Sequence, residues 1–279
     1  MTFKTLLAAA AVSMIAGGAV AQTAEWRTVS PDNLWVIDTS KGRVLVELEP
    51  RAAPSHIERI RTLTNRGFYD GLKFHRVLPN FMAQTGDPQG TGAGGSDLPD
   101  VKGEFTFRRG RDSGFVAVEN SGPGVRGIMG SLPIMTQPDA QMFVTADFKT
   151  TAGGLFCPGV AGMARAGSPD SANSQFFLMT GQNDNLNGAY TAFGRVVQGL
   201  DVLKTLKAGS EAEDGKVANP DVMTKVQLAS ALPEAQRPVV RVAVPGSAPF
   251  NAAVEAARAA RGAQFGICDV QPVVQITGG

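Results

Sequence analysis

The chain has 279 residues, 43% hydrophobic and 18% charged, a globular composition that can fill one large domain with extensions or two small ones. A formal net charge of +1 gives no electrostatic footprint for nucleic acid or an anionic membrane. The 33 glycines and 17 prolines are spread along the chain, which points to many turns and short strands and away from a helical bundle.

Residues 1–21 read as a signal peptide. Lys4 supplies the positive start, and Leu6 to Val20 is apolar but broken by Gly17 and Gly18. Ala19-Val20-Ala21 then fits the small-x-small cleavage pattern. The run is short for a membrane span, and no later stretch is long and apolar enough, so no membrane insertion is expected after cleavage. Only Cys157 and Cys268 remain in the mature chain. An oxidising compartment permits their pairing, but two free buried thiols fit the sequence equally well.

Leu34 to Asp38 and Arg43 to Glu49 read as strands, with Val44, Val46 and Leu48 on one face. A helix follows Pro54, where Ser55 and Glu58 have capping-box spacing; Ile57, Ile60 and Leu63 recur at helical period, and Gly67 stops it. Leu72 to Leu78 and Phe81 to Thr85 read as strands joined at Pro79-Asn80. Gly86 to Gly95 is a glycine-rich loop. From about 97 to 158 the sequence suggests only short hairpins. Gly159 to Arg165, Gln175 to Thr180, Thr191 to Val196 and Val222 to Leu228 read as strands, and Val197 to Leu206 as a second helix. Asn251 to Arg261 is an alanine-rich helix. Many short strands with two helices in the main domain argue for a closed antiparallel barrel plugged by those helices.

Hydrolase chemistry lacks support: there is no G-x-S-x-G elbow beside His56 or His75, the two histidines. Metal-ligand spacing is absent as well. Gly90 to Gly95 matches G-x-G-x-x-G only formally, because no βαβ unit surrounds it. What stands out is a pair of segments, Phe74 to Pro88 and Gly162 to Leu178, in which polar residues alternate with large apolar ones. Alternate strand residues share a face, so His75 and Val77 are expected on one face and Phe74 and Arg76 on the other, with Gln175 and Phe177 together. An arginine and a glutamine among Phe81, Met82 and Phe177 describe an apolar pocket with a few polar groups.

At these residues the chain resembles the cyclophilin family of peptidyl-prolyl cis-trans isomerases. Phe68-Tyr69-Asp70-Gly71 leads into Phe74-His75-Arg76, followed by Phe81-Met82-Ala83-Gln84-Thr85-Gly86-Asp87. The likeness resumes at Met163-Ala164-Arg165-Ala166 and Ser174-Gln175-Phe176-Phe177, and ends with Leu186-Asn187-Gly188-Ala189-Tyr190-Thr191-Ala192-Phe193-Gly194. The resemblance implies a mainly β fold, a closed eight-stranded antiparallel barrel capped by two α-helices. It would span residues 30–231, with an insertion over about 97–158 and an extension over 232–279 carrying one short helix.

The resemblance further implies that Arg76 is the catalytic arginine. Phe81, Met82, Phe177, Leu186 and Tyr190 would wall a proline pocket, with His75 beside it. Gln84, Ala164, Arg165 and Gln175 would line the groove for the substrate backbone. Three positions depart from the pattern of well-known eukaryotic members: Asn185 stands for a tryptophan, Arg165 for an asparagine and Tyr190 for a histidine. No cofactor or metal is implied. The expected partners are proline-containing segments of exported proteins, met by a monomer in the periplasm. The alternative is a chaperone-like module that holds such segments with little turnover.

Overall fold

A computed structural model describes residues 24–122 and 124–279, so the expected signal peptide over 1–21 lies outside the described residues. The chain enters through a short strand, β1 (Trp26–Thr28), and then forms the hairpin β2 (Leu34–Thr39) and β3 (Gly42–Leu48). Helix α1 (Pro54–Asn65) follows, then β4 (Arg76–Leu78) and β5 (Met82–Thr85). Five strands fill the insertion: β6 (Phe107–Arg109), β7 (Val116–Ser121), β8 (Gly124–Met129), β9 (Leu132–Thr136) and β10 (Thr150–Gly154). The main domain resumes with β11 (Val160–Met163), β12 (Phe176–Met179), β13 (Ala192–Gln198), helix α2 (Leu200–Lys204) and β14 (Met223–Leu228). The tail carries β15 (Val239–Ala243), α3 (Ala248–Arg261) and β16 (Val274–Thr277).

Eight strands form one antiparallel sheet in the order β14-β2-β3-β13-β11-β12-β5-β4. The sheet curls until its two edges meet, but the seam is carried by isolated bridges and not by a continuous ladder. Lys73 pairs with Val222 and Arg76 with Lys216, and the Gly71 and Val217 N–H groups donate to the Met223 and His75 carbonyls at 2.6 and 3.0 Å. Inside the curl, Trp35, Tyr69, Phe176 and Phe193 pack edge-on or tilted, with centroids 4.8–6.4 Å apart. Ile57, Ile60 and Leu63 of α1 are fully buried against this cluster, each side chain contributing roughly 1.5–3 kcal/mol by leaving water. The Trp35 indole N–H donates to the Thr64 hydroxyl at 2.9 Å.

Both helices differ in detail from their sequence patterns. The Ser55–Glu58 capping box does not form. Glu104, from the start of the insertion, caps α1 instead, accepting from the Ser55 and His56 N–H groups at 3.1 Å each and from His56 Nδ1–H at 2.8 Å. Helix α2 is five residues long because the β-branched pair Val196-Val197 prolongs β13, which pairs with β3. Leu203 and Leu206 are buried as expected.

The insertion is a single five-stranded sheet, β6-β10-β9-β8-β7, and not a set of separate hairpins. The tail holds more than one short helix: β15 sits between β1 and β16 in a three-stranded sheet that joins the two ends of the described chain. Both additions dock through a shared core. Ile128, Leu132, Ile134 and Leu155 of the insertion pack with Phe250, Val254, Ile267 and Val270 of the tail and with Val160, Phe177 and Met179 of the main sheet. Cys157 and Cys268 form a disulfide with Cα atoms 4.9 Å apart. Nearby, the buried Arg195 guanidinium donates to the carbonyls of Ser131 at 3.2 Å and Val270 at 2.8 Å, tying β13 to insertion and tail.

Candidate active site

Period-2 alternation on β12 sends neighbouring aromatics to opposite faces. Phe176 joins the interior cluster, while Phe177 lines a hollow of about 610 Å³ on the outer face. Gly162, opposite Phe177 on β11, makes room for its ring: a Cβ there would stand 2.5 Å from Phe177 and 2.6 Å from Phe156. Phe156 backs Phe177 at 5.7 Å between centroids, and Tyr190 meets it edge-on at 5.8 Å. Phe81, Met82, Ala164 and Leu186 complete the apolar lining.

Arg76 stands at the rim, its guanidinium carbon 6.0 Å from the Phe81 ring centroid and its side chain 29% exposed. Three donors are engaged. Nη1 donates to Gln84 Oε1 at 3.2 Å, while Nε and Nη2 donate to the main-chain carbonyl and carboxylate of Asp214 at 2.9 and 2.7 Å. A guanidinium has five N–H donors, so two are left over. Gln84 passes the chain on, donating from Nε2 to Gln175 Oε1 at 2.9 Å. Gln175 Nε2 in turn donates to the Gly92 and Gly94 carbonyls at 2.9 and 2.8 Å.

Those glycines belong to a loop organised by Asp87. Its buried carboxylate accepts from the Gln89, Thr91 and Gly92 N–H groups at 2.6–2.8 Å. Burial pushes the Asp87 pKa upward, but these N–H donors outweigh it and hold the group at about 2. Arg165 lies over Tyr190, with 4.6 Å from guanidinium carbon to ring centroid. His75 is buried beside the loop. Among the described residues neither of its ring nitrogens has a hydrogen-bond partner, and burial lowers its pKa, favouring the neutral ring.

All the residues expected to form the pocket and the groove meet here. His75, Arg76, Phe81, Met82, Gln84, Ala164, Arg165, Phe177, Leu186 and Tyr190 line the hollow, and Gln175 touches it through Gln84. The facing expected for 74–77 does not hold for either pair, His75 with Val77 or Phe74 with Arg76. Because β4 begins only at Arg76, the chain before it is irregular. His75 and Arg76 both reach the hollow, while Phe74 and Val77 both enter the interior. Two walls were not anticipated: the Gly90 to Ala93 loop, and Glu213, Asp214 and Lys216 from the segment before β14. Among the described residues no cluster of three or more His, Cys, Asp or Glu is placed to hold a metal, and no helix is long and apolar enough to cross a membrane.

The family model described as "Cyclophilin type peptidyl-prolyl cis-trans isomerase/CLD" matches residues 34–228. The chain belongs to the cyclophilin family. A protein of Brucella suis named "Probable peptidyl-prolyl cis-trans isomerase" is 36% identical over 236 residues, covering 81% of this chain and 95% of the relative. A "Peptidyl-prolyl cis-trans isomerase-like 1" of Aspergillus oryzae is 34% identical over 169 residues, covering 61% of this chain and 78% of its own length. The crystal structure of a cyclophilin from Hirschia baltica superposes with a TM-score of 0.80 at 33% identity, covering 91% of this chain and 95% of that one. That coverage extends beyond the family segment, so the likeness takes in part of the chain outside residues 34–228.

Proposed function

We propose that this cyclophilin accelerates rotation about X-Pro bonds in exported proteins, with Arg76 as its catalytic residue and the apolar hollow as the seat of the proline ring. As a family member it is a peptidyl-prolyl cis-trans isomerase. The observation that carries the residue roles is the position of Arg76, with two uncommitted donors at the rim of the hollow beside Phe81.

Rotation breaks amide resonance, a barrier of about 18–20 kcal/mol, so X-Pro bonds isomerise unaided in roughly tens to hundreds of seconds. In the twisted state the proline nitrogen turns pyramidal and gains a lone pair. A donor aimed at that nitrogen stabilises the twisted state and not the planar one. Arg76 suits this role because its charge is permanent and its donors form a rigid fork. Phe81, Met82, Phe177 and Leu186 grip the ring, and the apolar surroundings strengthen the guanidinium contact. Gln84 Nε2 keeps a second N–H for the substrate carbonyl.

Two features support export to an oxidising compartment such as the periplasm: the cleavable apolar start of the sequence and the Cys157–Cys268 disulfide. A protease-coupled assay of the purified protein on a proline tetrapeptide tests the activity. Folded protein that leaves the isomerisation rate unchanged would overturn it, and binding without turnover would favour a segment-holding module.

A further inference from the structure

A second hollow, of about 420 Å³, opens where the insertion sheet meets the loop after β12. Phe105, Met135, Ala152 and Leu155 give it an apolar lining, and no ionisable side chain lines it. Close packing brings the insertion to this position. A Cβ on Gly154 would stand 2.4 Å from the Ala192 Cβ, and one on Gly153 would stand 3.2 Å from the Phe105 carbonyl oxygen. Met135 is left 42% exposed, an adaptable apolar side chain open to solvent.

One ridge separates this hollow from the first. Leu186 and Tyr190 line the first, while Asn187 and Gly188, between them in sequence, line the second. Arg165 lies across the ridge. Its Nε donates to the Ala189 carbonyl at 3.0 Å, and its guanidinium carbon is 4.6 Å from the Tyr190 centroid and 5.9 Å from that of Phe105. One side chain thus touches an aromatic wall of each hollow. An extended chain advances about 3.3 Å per residue, so a polypeptide seated in the first hollow crosses the ridge in a few residues.

We propose that the second hollow is a subsite for the same polypeptide, taking a bulky apolar side chain about three to five residues from the proline. It rests on the isomerase reading of the first hollow and adds a preference among proline segments. A charged side chain is disfavoured there, because the lining offers no counter-charge.

The test uses a short proline tetrapeptide and a set of longer peptides extended on either side. Each longer peptide carries one phenylalanine at the third, fourth or fifth residue from the proline, with alanine controls. One register is expected to exceed its control by about tenfold in kcat/KM, as an apolar pocket discriminates. That advantage should vanish in Met135→Asp, which puts a charge in the lining, and in Thr151→Trp, which fills the space from the exposed rim. Equal rates for phenylalanine and alanine peptides in every register overturn the subsite, while tetrapeptide turnover preserves the isomerase reading. If the tetrapeptide is not turned over, that reading falls alone. Calorimetric affinities of the same peptides then decide the subsite by the same comparison. Concentration-dependent dimerisation lost in Met135→Asp, without any phenylalanine preference, would assign the hollow to a second copy of the chain and also overturn the proposal.

Discussion

Asp214 holds Arg76 at two points, through its main-chain carbonyl at 2.9 Å and its carboxylate at 2.7 Å, from 138 residues further along the chain. Together with Gln84 on the other side, this fixes the plane of the guanidinium before any substrate arrives. Pre-set orientation is what makes a single donor effective in catalysis. Arg76→Ala is therefore expected to lower kcat/KM by about 2–4 kcal/mol, the scale for one such donor. Arg76→Lys should recover little, because an ammonium cannot make the fork. Near-full activity in either folded variant would remove Arg76 from the mechanism.

Asp214 itself is a positioning residue. Its carboxylate side chain is 78% exposed, so the ion pair adds little to stability, and its removal should be felt in rate. Asp214→Ala is expected to reduce kcat about three- to tenfold with KM and thermal midpoint nearly unchanged, a loss of about 1 kcal/mol of orientation. Asp214→Asn, which keeps an acceptor oxygen, should recover most of it. A variant that melts early but turns over normally would show a purely structural role.

The sequence exposed the main sheet and the lining of the hollow because both lie in short alternating segments, where local pattern and final environment agree. It hid Asp214 and Lys216, which reach the site only through the seam that joins the sheet's edges at Arg76 and Lys216. No local period records that meeting. The insertion was opaque for a related reason. Gly124, Gly127, Gly153 and Gly154 interrupt β8 and β10, and the strand character of β10 comes from distant partners, 16 residues away for Ala152 with Thr136 and 41 for Thr150 with Arg109. The extra strand β15 is likewise explained by β1, at the opposite end of the described chain, and β16 by β15.

The wall formed by Gly90 to Ala93 depends on Asp87. Removing its buried carboxylate in Asp87→Ala strands the N–H groups of Gln89, Thr91 and Gly92, each charge-assisted bond being worth about 1.5–3 kcal/mol. The loop should loosen, raising KM for proline peptides several-fold more than it lowers kcat, and limited proteolysis should begin to cut between Gln89 and Gly95. Unchanged cleavage and KM would mean the loop is held by Gln175 alone.

Acid should weaken the fold through His56 and Glu104. Burial lowers the His56 pKa below its ordinary 6.5, against the pull of Glu104. The folded state therefore binds a proton less readily than the unfolded chain. Nothing is lost above pH 6.5, and stability falls as the pH drops below it. Glu104 acts in the same direction. Burial pushes its pKa up, but His56 and the α1 N–H groups outweigh that and leave it below 4.5. Its contribution is present above that pH and is lost as the pH falls through the lowered value. Urea midpoints should therefore decline from pH 7.5 to 5, and His56→Gln should flatten the decline, leaving the contribution of His75, also lowered by burial. A wild-type midpoint constant over this range would contradict the account.

The disulfide should matter to the fold more than to the chemistry. Cys157 and Cys268 are 111 residues apart, so their bond removes a large share of the unfolded chain's freedom, and its loss should cost about 2–5 kcal/mol. Cys268→Ser, or reductant added to the wild type, should lower the thermal midpoint by several degrees. Reductant should have no further effect on the variant. The loss should not unfold the tail outright, because Phe250, Val254, Ile267 and Val270 remain in the shared core and Arg195 still reaches the Val270 carbonyl. Combining Cys268→Ser with Arg195→Met removes both ties. The double variant should expose the tail to proteolysis after Arg237 while the main sheet, whose interior cluster around Trp35 and Phe176 contains no tail residue, stays folded. If the tail is no more sensitive than in wild type, the apolar core alone holds it and neither tie is needed.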